Sequence, residues 1–281
     1  DKQVNDFLTS YDILSLPTPC HILFPENFYL NIMQMKRVFE EYNMKDNIFF
    51  SCKANKAITF LQLASKYDCG IEVSSEYELD EAIKYTSSII ASGPAKSMQY
   101  IQKAIMYKCV ISVDDIEEIK CIAKQNANAR IMLRIANLND IRSRFGINKN
   151  EIKDCLNIIS KNHMELIGFS FHINNYSVED RIAAIKQVIT LTSQLHIKIQ
   201  WIDIGGGLPV QYCSKNNFDD FLKLNCPSMY FQNHYFTDFY PYGGTLSSSE
   251  ALSRIIREVK PLLKDIQIVI EPGRSLLNNC G

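Results

Sequence analysis

The chain has 281 residues, 46% of them hydrophobic, and 30 Lys and Arg balance 31 Asp and Glu to a net charge of -1. That length carries one large domain with a substantial core. The balanced charge and the lack of a Lys/Arg stripe argue against nucleic-acid binding, and no run approaches the ~18 apolar residues of a membrane span. The opening DKQVNDFLTS lacks the charged-then-apolar order of a signal peptide. The nine cysteines are scattered without a C-x-x-C pair, and Cys52, Cys69, Cys109 and Cys155 fall in apolar surroundings. Reduced core thiols in a cytoplasmic protein are therefore expected, rather than disulfides or a zinc site.

In chain order, an apolar run HILF (21–24) and a helical pattern over 26–42 come first. Eight short apolar runs then alternate with helical patterns. The runs are NIFFSC (47–52), GIEVSS (70–75), IIASG (89–93), CVISVD (109–114), RIMLRI (130–135), IGFSFHI (167–173), IQWIDIGG (199–206) and IQIVIE (266–271). They are rich in Ile and Val and most lack strict alternation, as expected of strands buried on both faces. The helical patterns cover 56–67, 76–85, 96–107, 116–125, 151–162, 178–195 and 249–263. Strand–helix alternation with short connections predicts parallel strands. Eight such units predict an α/β fold, a closed (β/α)8 barrel, which takes about 250 residues. The segment 208–249 is long for a barrel loop and dense in aromatic residues. It follows the seventh strand, so it is expected either to overhang the active face or to pack on the surface as an insertion without a role.

In such a barrel, catalytic groups sit at the C-terminal ends of the strands. Lys53 follows the first run, Ser74 ends the second, and Ser92 and Gly93 end the third. Arg134 lies near the end of the fifth, His172 ends the sixth, Gly205 to Gly207 end the seventh and Glu271 ends the eighth. A lysine in this position can form a Schiff base if its amine is kept partly neutral; taken alone, it is more often a solvated loop residue. His172 alone would be a core histidine bonded to backbone, or a flat ring for stacking on a cofactor. The triple glycine is neither G-x-G-x-x-G nor a P-loop, though its bare N–H groups could cradle a phosphate. A carboxylate closing an apolar strand, as at Glu271, needs a partner. Arg274 could be that partner or could hold a phosphate.

Taken as an ordered set, SCKAN, YDCGIEVSSEYELDEA, FHI, DIGGGLP and EPGRS resemble the fold-type III pyridoxal-phosphate-dependent decarboxylases. These are the barrel enzymes that include diaminopimelate, ornithine and arginine decarboxylases. The resemblance runs from Thr18 to Gly281 and implies a barrel of the alanine-racemase type with pyridoxal 5'-phosphate as cofactor. It implies that Lys53 holds the cofactor as an aldimine and that His172 stacks on the pyridine ring. Gly205, Gly206 and Gly207, with Gly273 and Arg274, would cradle the phosphate. Glu271 would pair with the pyridine nitrogen, and Asp68 and Arg134 would be supporting polar groups. A carboxylate at Glu271 keeps the ring nitrogen protonated and so favours decarboxylation; racemases on this barrel place an arginine there.

The implied reaction is α-decarboxylation of an amino acid or amino-acid-like group. Diaminopimelate, the ornithine, arginine or lysine class, and a carrier- or peptide-attached aminocarboxypropyl group in natural-product synthesis all fit. A homodimer is implied. The alternatives are a non-catalytic, regulatory cofactor-binding homologue and an amino-acid racemase. Two departures stand out. Where the family reads His-x-Gly-Ser, this chain reads His172, Ile173, Asn174, Asn175, so the Asn175 amide is expected to replace the serine hydroxyl at the phosphate. The family also carries a C-terminal β-domain that supplies a cysteine to the partner subunit's site and a tyrosine to the phosphate. The expected organisation is one barrel domain over residues 1–281, with an N-terminal extension to about residue 20 and without that β-domain. Neither Cys213 nor Cys280 sits in the context of such a cysteine.

Overall fold

The computed structural model describes residues 2–125, 128–136, 138, 144–237, 239–240 and 242–281. Eight parallel strands run in sequential order: β1 Phe49–Ser51, β2 Gly70–Val73, β3 Ile89–Ala91, β4 Val110–Val113, β5 Arg130–Arg134, β6 Glu165–Ser170, β7 Trp201–Asp203 and β8 Gln267–Val269. A parallel bridge between Ile48 and Ile270 joins the eighth strand back to the first. Phe49 N–H donates to Ile270 O at 2.9 Å and Ile270 N–H to Asn47 O at 3.0 Å. The sheet is thus a closed (β/α)8 barrel, and every expected strand is present.

The helices are α1 Lys2–Ser10, α2 Pro25–Glu41, α3 Ile58–Lys66, α4 Glu76–Ala82, α5 Met98–Met106, α6 Ile116–Ala123, α7 Ile152–Lys161, α8 Val178–Gln194, α9 Lys215–Leu224 and α10 Ser248–Leu263. Side chains of Ser75, Ser97, Asp115, Ser177 and Ser247 cap α4, α5, α6, α8 and α10 by accepting from free N–H groups of the first turn. Asn43, Asp68, Lys108, His163 and His196, all at positive φ, follow α2, α3, α5, α7 and α8 and turn the chain back towards the next strand. Neither α1 nor α9 belongs to the expected helical patterns. HILF (21–24) forms no strand; Phe24 N–H instead donates to Cys280 O at 2.8 Å and ties the segment before α2 to the residues after β8.

Two layers fill the barrel. Phe49, Ile90, Val110, Met132, Ile167 and Val269, with Trp201, form an apolar plug separate from the larger core between strands and helices. Side chains two residues apart on a strand share a face. Two residues beyond this plug, towards the C-terminal ends, come Ser51, Ser92, Ser112, Arg134, Asp203 and Glu271. On β2 the plug position is Gly70, whose missing side chain is replaced by the Phe49 ring, and the polar position is Glu72. A polar layer therefore sits on an apolar floor at the mouth where barrel sites are built.

The β2 and β4 ends repeat one device. Glu78 accepts from Ser74 N–H at 2.8 Å and pairs with Lys56 at 3.0 Å; Glu118 accepts from Asp114 N–H at 2.9 Å and pairs with Lys96 at 2.7 Å. Ser74 is thus spent on fixing the loop after its strand. In the insertion between β7 and α10, the rings of Tyr212, Phe218, Tyr240 and Tyr242 pack against one another. Asp238 and Pro241 of that segment lie outside the described residues.

Candidate active site

Lys53 follows β1 in a single 3-10 turn, Cys52–Ala54, and its side chain is half-exposed at the mouth. Its Nζ lies 3.4 Å from Glu72 Oε2. Glu72 is fully buried and also accepts from the Ser51 and Ser92 hydroxyls. Burial pulls the Lys53 pKa down, but Glu72 and then Glu271 outweigh it, so the amine is held as an ammonium. The expectation of a partly neutral amine is corrected on this point: the charge is kept by a carboxylate beside it. Glu72 went unnoticed in the sequence because GIEVSS reads as a buried strand. Its signal was a charged residue in the middle of an apolar run.

Glu271 follows β8, on the other side of β1 from Glu72, and Asp203 ends the next strand, β7. Asp203 is fully buried, with Oδ1 accepting from Gly205 N–H at 2.8 Å and its carboxyl hydrogen-bonded to that of Glu271. Burial pushes the Asp203 carboxyl up to about 7 against the pull of the Gly205 N–H. Burial, Asp203 and Glu72 together hold Glu271 well above the usual carboxylate range.

His172 lies two residues beyond β6. Loss of solvent and the cations Arg134, Lys53, Arg181 and Arg274 push its pKa down to about 4. Gly205, at φ 68°, backs the ring: a Cβ there would lie 2.7 Å from His172 Nδ1. Gly207, at φ 74°, leaves the same kind of room for Arg181, whose Nη2 would lie 2.6 Å from an added Cβ.

Arg181 is a second residue missed in the sequence. It lies on the buried face of α8, 1% exposed, and it ties the sixth and seventh loops together. Its Nη1 donates to Asn175 O at 2.8 Å and Ser177 O at 3.1 Å, and its Nη2 to Ile173 O at 3.3 Å and Gly206 O at 3.1 Å. An arginine on the apolar stripe of an amphipathic helix was the available signal.

The other expected residues divide. Arg134 lies in the polar layer, 3.3 Å from Asp114 Oδ1. Gly273 packs against Ala54 beside Lys53, where an added Cβ would come within 2.8 Å. Arg274 stands at the mouth, donating to Tyr176 Oη at 2.7 Å with its guanidinium 4.2 Å from the Tyr240 ring centre. Asn175 is turned away, bonding Ser177 N–H and the Asp180 carboxylate just before and within the first turn of α8. Asp68 does not reach the site. It is an exposed left-handed residue (φ 50°) that ends α3 before β2 begins, so it lies at the opposite end of the barrel from the mouth. The buried acid of that strand is Glu72.

This fold and polar layer define a (β/α)8 barrel of the pyridoxal-dependent type. The model of the pyridoxal binding domain of pyridoxal-dependent decarboxylases matches residues 30–278, and the chain belongs to that family, whose cofactor is pyridoxal phosphate. Protein y4yA of Sinorhizobium fredii is 30% identical over 302 residues, covering 98% of this chain and 66% of that protein. Diaminopimelate decarboxylase of Campylobacter jejuni is 25% identical over 290 residues, covering 94% of this chain and 64% of the relative. The chain thus spans just under two thirds of the length of these relatives. Lysine decarboxylase from Selenomonas ruminantium superposes with a TM-score of 0.76 at 21% identity, covering 98% of this chain and 66% of the other, which shows the shared fold.

The residues present fit pyridoxal phosphate. A lysine amine, an uncharged imidazole and a carboxyl held well above the usual range stand at one mouth, above the buried Asp203. No helix among the described residues is long and apolar enough to cross a membrane.

Proposed function

We propose that this chain holds pyridoxal phosphate at the barrel mouth and decarboxylates an amino acid or an amino-acid-like group. The observation that carries this reading is the Lys53–Glu72 contact of 3.4 Å inside a ring of polar side chains that includes Glu271. When bound, pyridoxal phosphate supplies an electron sink for the pair left at the α-carbon as carbon dioxide departs. Lys53 must lose a proton from Nζ to act as a nucleophile, and Glu72 Oε2 is placed to take it. Glu271, whose carboxyl burial holds well above the usual range, would pair with a basic ring nitrogen and share a proton with it. His172, uncharged, offers a flat face for stacking. Arg274 supplies positive charge for a phosphate.

Diaminopimelate, the ornithine, arginine and lysine class, and a conjugated aminocarboxypropyl group remain the candidate substrates. A homodimer and a cytoplasmic location are part of the proposal. Borohydride reduction of the cofactor-loaded protein, followed by peptide mass spectrometry, should place a pyridoxyl group on Lys53. Lys53→Ala should abolish both that adduct and carbon dioxide release from the substrate panel. Cofactor binding and carbon dioxide release that survive Lys53→Ala would sink the reading. An adduct on Lys53 with no release from any candidate would favour the non-catalytic alternative.

A further inference from the structure

The sequence pattern put Asn175 forward as the donor that replaces a serine hydroxyl at the phosphate. The structure commits its side chain elsewhere. Nδ2 donates to Asp180 Oδ2 at 2.6 Å, and Oδ1 accepts from Ser177 N–H at 2.9 Å. Both ends of the amide are thus spent on the first turn of α8.

Tyr176, the next residue, points the other way. Its Oη accepts from Arg274 Nη2 at 2.7 Å. A phenol oxygen that accepts from a guanidinium still has its own O–H to donate. The guanidinium likewise has further N–H groups beyond the one used. Tyr176 and Arg274 are therefore paired donors, with spare capacity, at the mouth.

Their placement is specific. Arg274 is in the loop after β8, and Tyr240, whose ring lies against its guanidinium, is in the segment after β7. The loops after strands seven and eight are where (β/α)8 barrels commonly bind phosphate. The Tyr240 hydroxyl is buried. Burial first, and then the neighbouring Tyr176 hydroxyl, raise its pKa. Through Ile173 O and Gly206 O, Arg181 ties the loop carrying Tyr176 to the glycine run. Tyr176, Arg274 and the glycine run thus form one connected unit.

We propose that Tyr176 is the side-chain hydroxyl that binds the cofactor's phosphate, acting with Arg274, and that Asn175 instead braces the start of α8 through Ser177 and Asp180. This rests on the pyridoxal-phosphate reading of the site. The shared chemistry is an oxyanion, which could belong to the cofactor phosphate or to a substrate carboxylate, so the test separates the two.

The apoprotein is titrated with pyridoxal phosphate and with pyridoxal, which lacks the phosphate, and binding is followed by absorbance and equilibrium dialysis. Tyr176→Phe keeps the ring against Arg274 and removes only the hydroxyl; a thermal melt confirms that it folds. The expected result is about a tenfold to hundredfold loss of affinity for pyridoxal phosphate, the scale of one hydrogen bond to a charged group. Affinity for pyridoxal should be unchanged. Inorganic phosphate should compete with pyridoxal phosphate less well in the variant than in the wild type.

Equal loss for both aldehydes, or no loss for either, would overturn the assignment. So would a variant that binds cofactor normally but has a raised KM for substrate, which would give Tyr176 to the substrate carboxylate. Asn175→Ala weakening only pyridoxal phosphate, with Tyr176→Phe neutral, would return the role to Asn175. If the wild type itself binds no pyridoxal phosphate, the cofactor reading falls first, which is distinct from failure of Tyr176 alone.

Discussion

Asp203 and Glu271 meet across the backbone of Gly205, whose N–H donates to Asp203 Oδ1 at 2.8 Å and whose carbonyl accepts from Glu271 N–H at 3.0 Å. Burial is the first cause raising each carboxyl, and their mutual repulsion adds to it on Glu271. With Asp203 at about 7 and Glu271 also raised, the folded apoprotein binds more protons than the unfolded chain, whose aspartates titrate near ~4. The linkage follows: this pair's contribution to stability falls as pH rises from ~4 through 7. Asp203→Asn should flatten that slope, by on the order of 2 kcal/mol across the window. Urea unfolding of apoprotein and variant at pH 5 and 7.5 measures it. An unchanged slope would mean the carboxyls do not titrate together.

His172 titrates in the opposite sense. Its folded pKa, about 4, lies below the ordinary histidine value. The unfolded chain therefore takes up the proton first, and stability from this residue is lost as pH falls from ~6.5 towards 4. At neutral pH the ring is uncharged, as stacking on a flat cofactor requires. In NMR of the apoprotein, the His172 Cε1 resonance, assigned with His172→Asn, should not titrate between pH 5.5 and 8. A midpoint near 6.5 would refute the effect of the surrounding cations.

The barrel was legible from its eight apolar runs because parallel strands buried on both faces need Ile- and Val-rich segments of that length. Lys53, His172 and Glu271 were legible because each ends such a run. The buried partners were harder to see. Glu72, Asp203 and Ser51 lie inside the runs, and only the barrel's inward alternation tells them from core residues. Asp68 shows the converse error: a short motif carried it towards the site, but its left-handed turn places it at the other end of the strand. Arg181 was hidden because helix periodicity locates a buried face without saying which loops that face will reach.

Lys96 and Lys56 occupy matching places after β3 and β1, but their burial differs. The Lys96 side chain is 1% exposed and that of Lys56 57%. Lys96 Nζ also donates to Gly93 O at 2.8 Å and Ser112 O at 2.6 Å. Removing one partner of a buried ion pair strands the other charge. Glu118→Ala should therefore cost about 3–5 kcal/mol. Lys56→Ala should cost about 1 kcal/mol or less, because water reaches the Lys56 end and the Ser74 N–H and hydroxyl still serve the Glu78 carboxylate. Denaturant melts of the two variants test the contrast; similar losses would show that burial does not separate the two pairs.

Arg181→Met should damage stability and cofactor binding together. The guanidinium serves four carbonyls, and methionine would fill its space while leaving the Asn175, Ser177, Ile173 and Gly206 oxygens unpaired. Orphaned buried carbonyls cost about 1–3 kcal/mol each, and water entering at the loop ends recovers part of this, so a loss on the order of 3 kcal/mol is expected. Gly206 and Ile173 flank the His172 ring, so relaxing them should loosen its fit. Affinity for pyridoxal as well as for pyridoxal phosphate should fall, unlike the phosphate-only loss expected of Tyr176→Phe. Thermal melts read the first effect, and paired titrations with the two aldehydes read the second. A variant that melts early but binds both aldehydes as the wild type does would confine Arg181 to the fold.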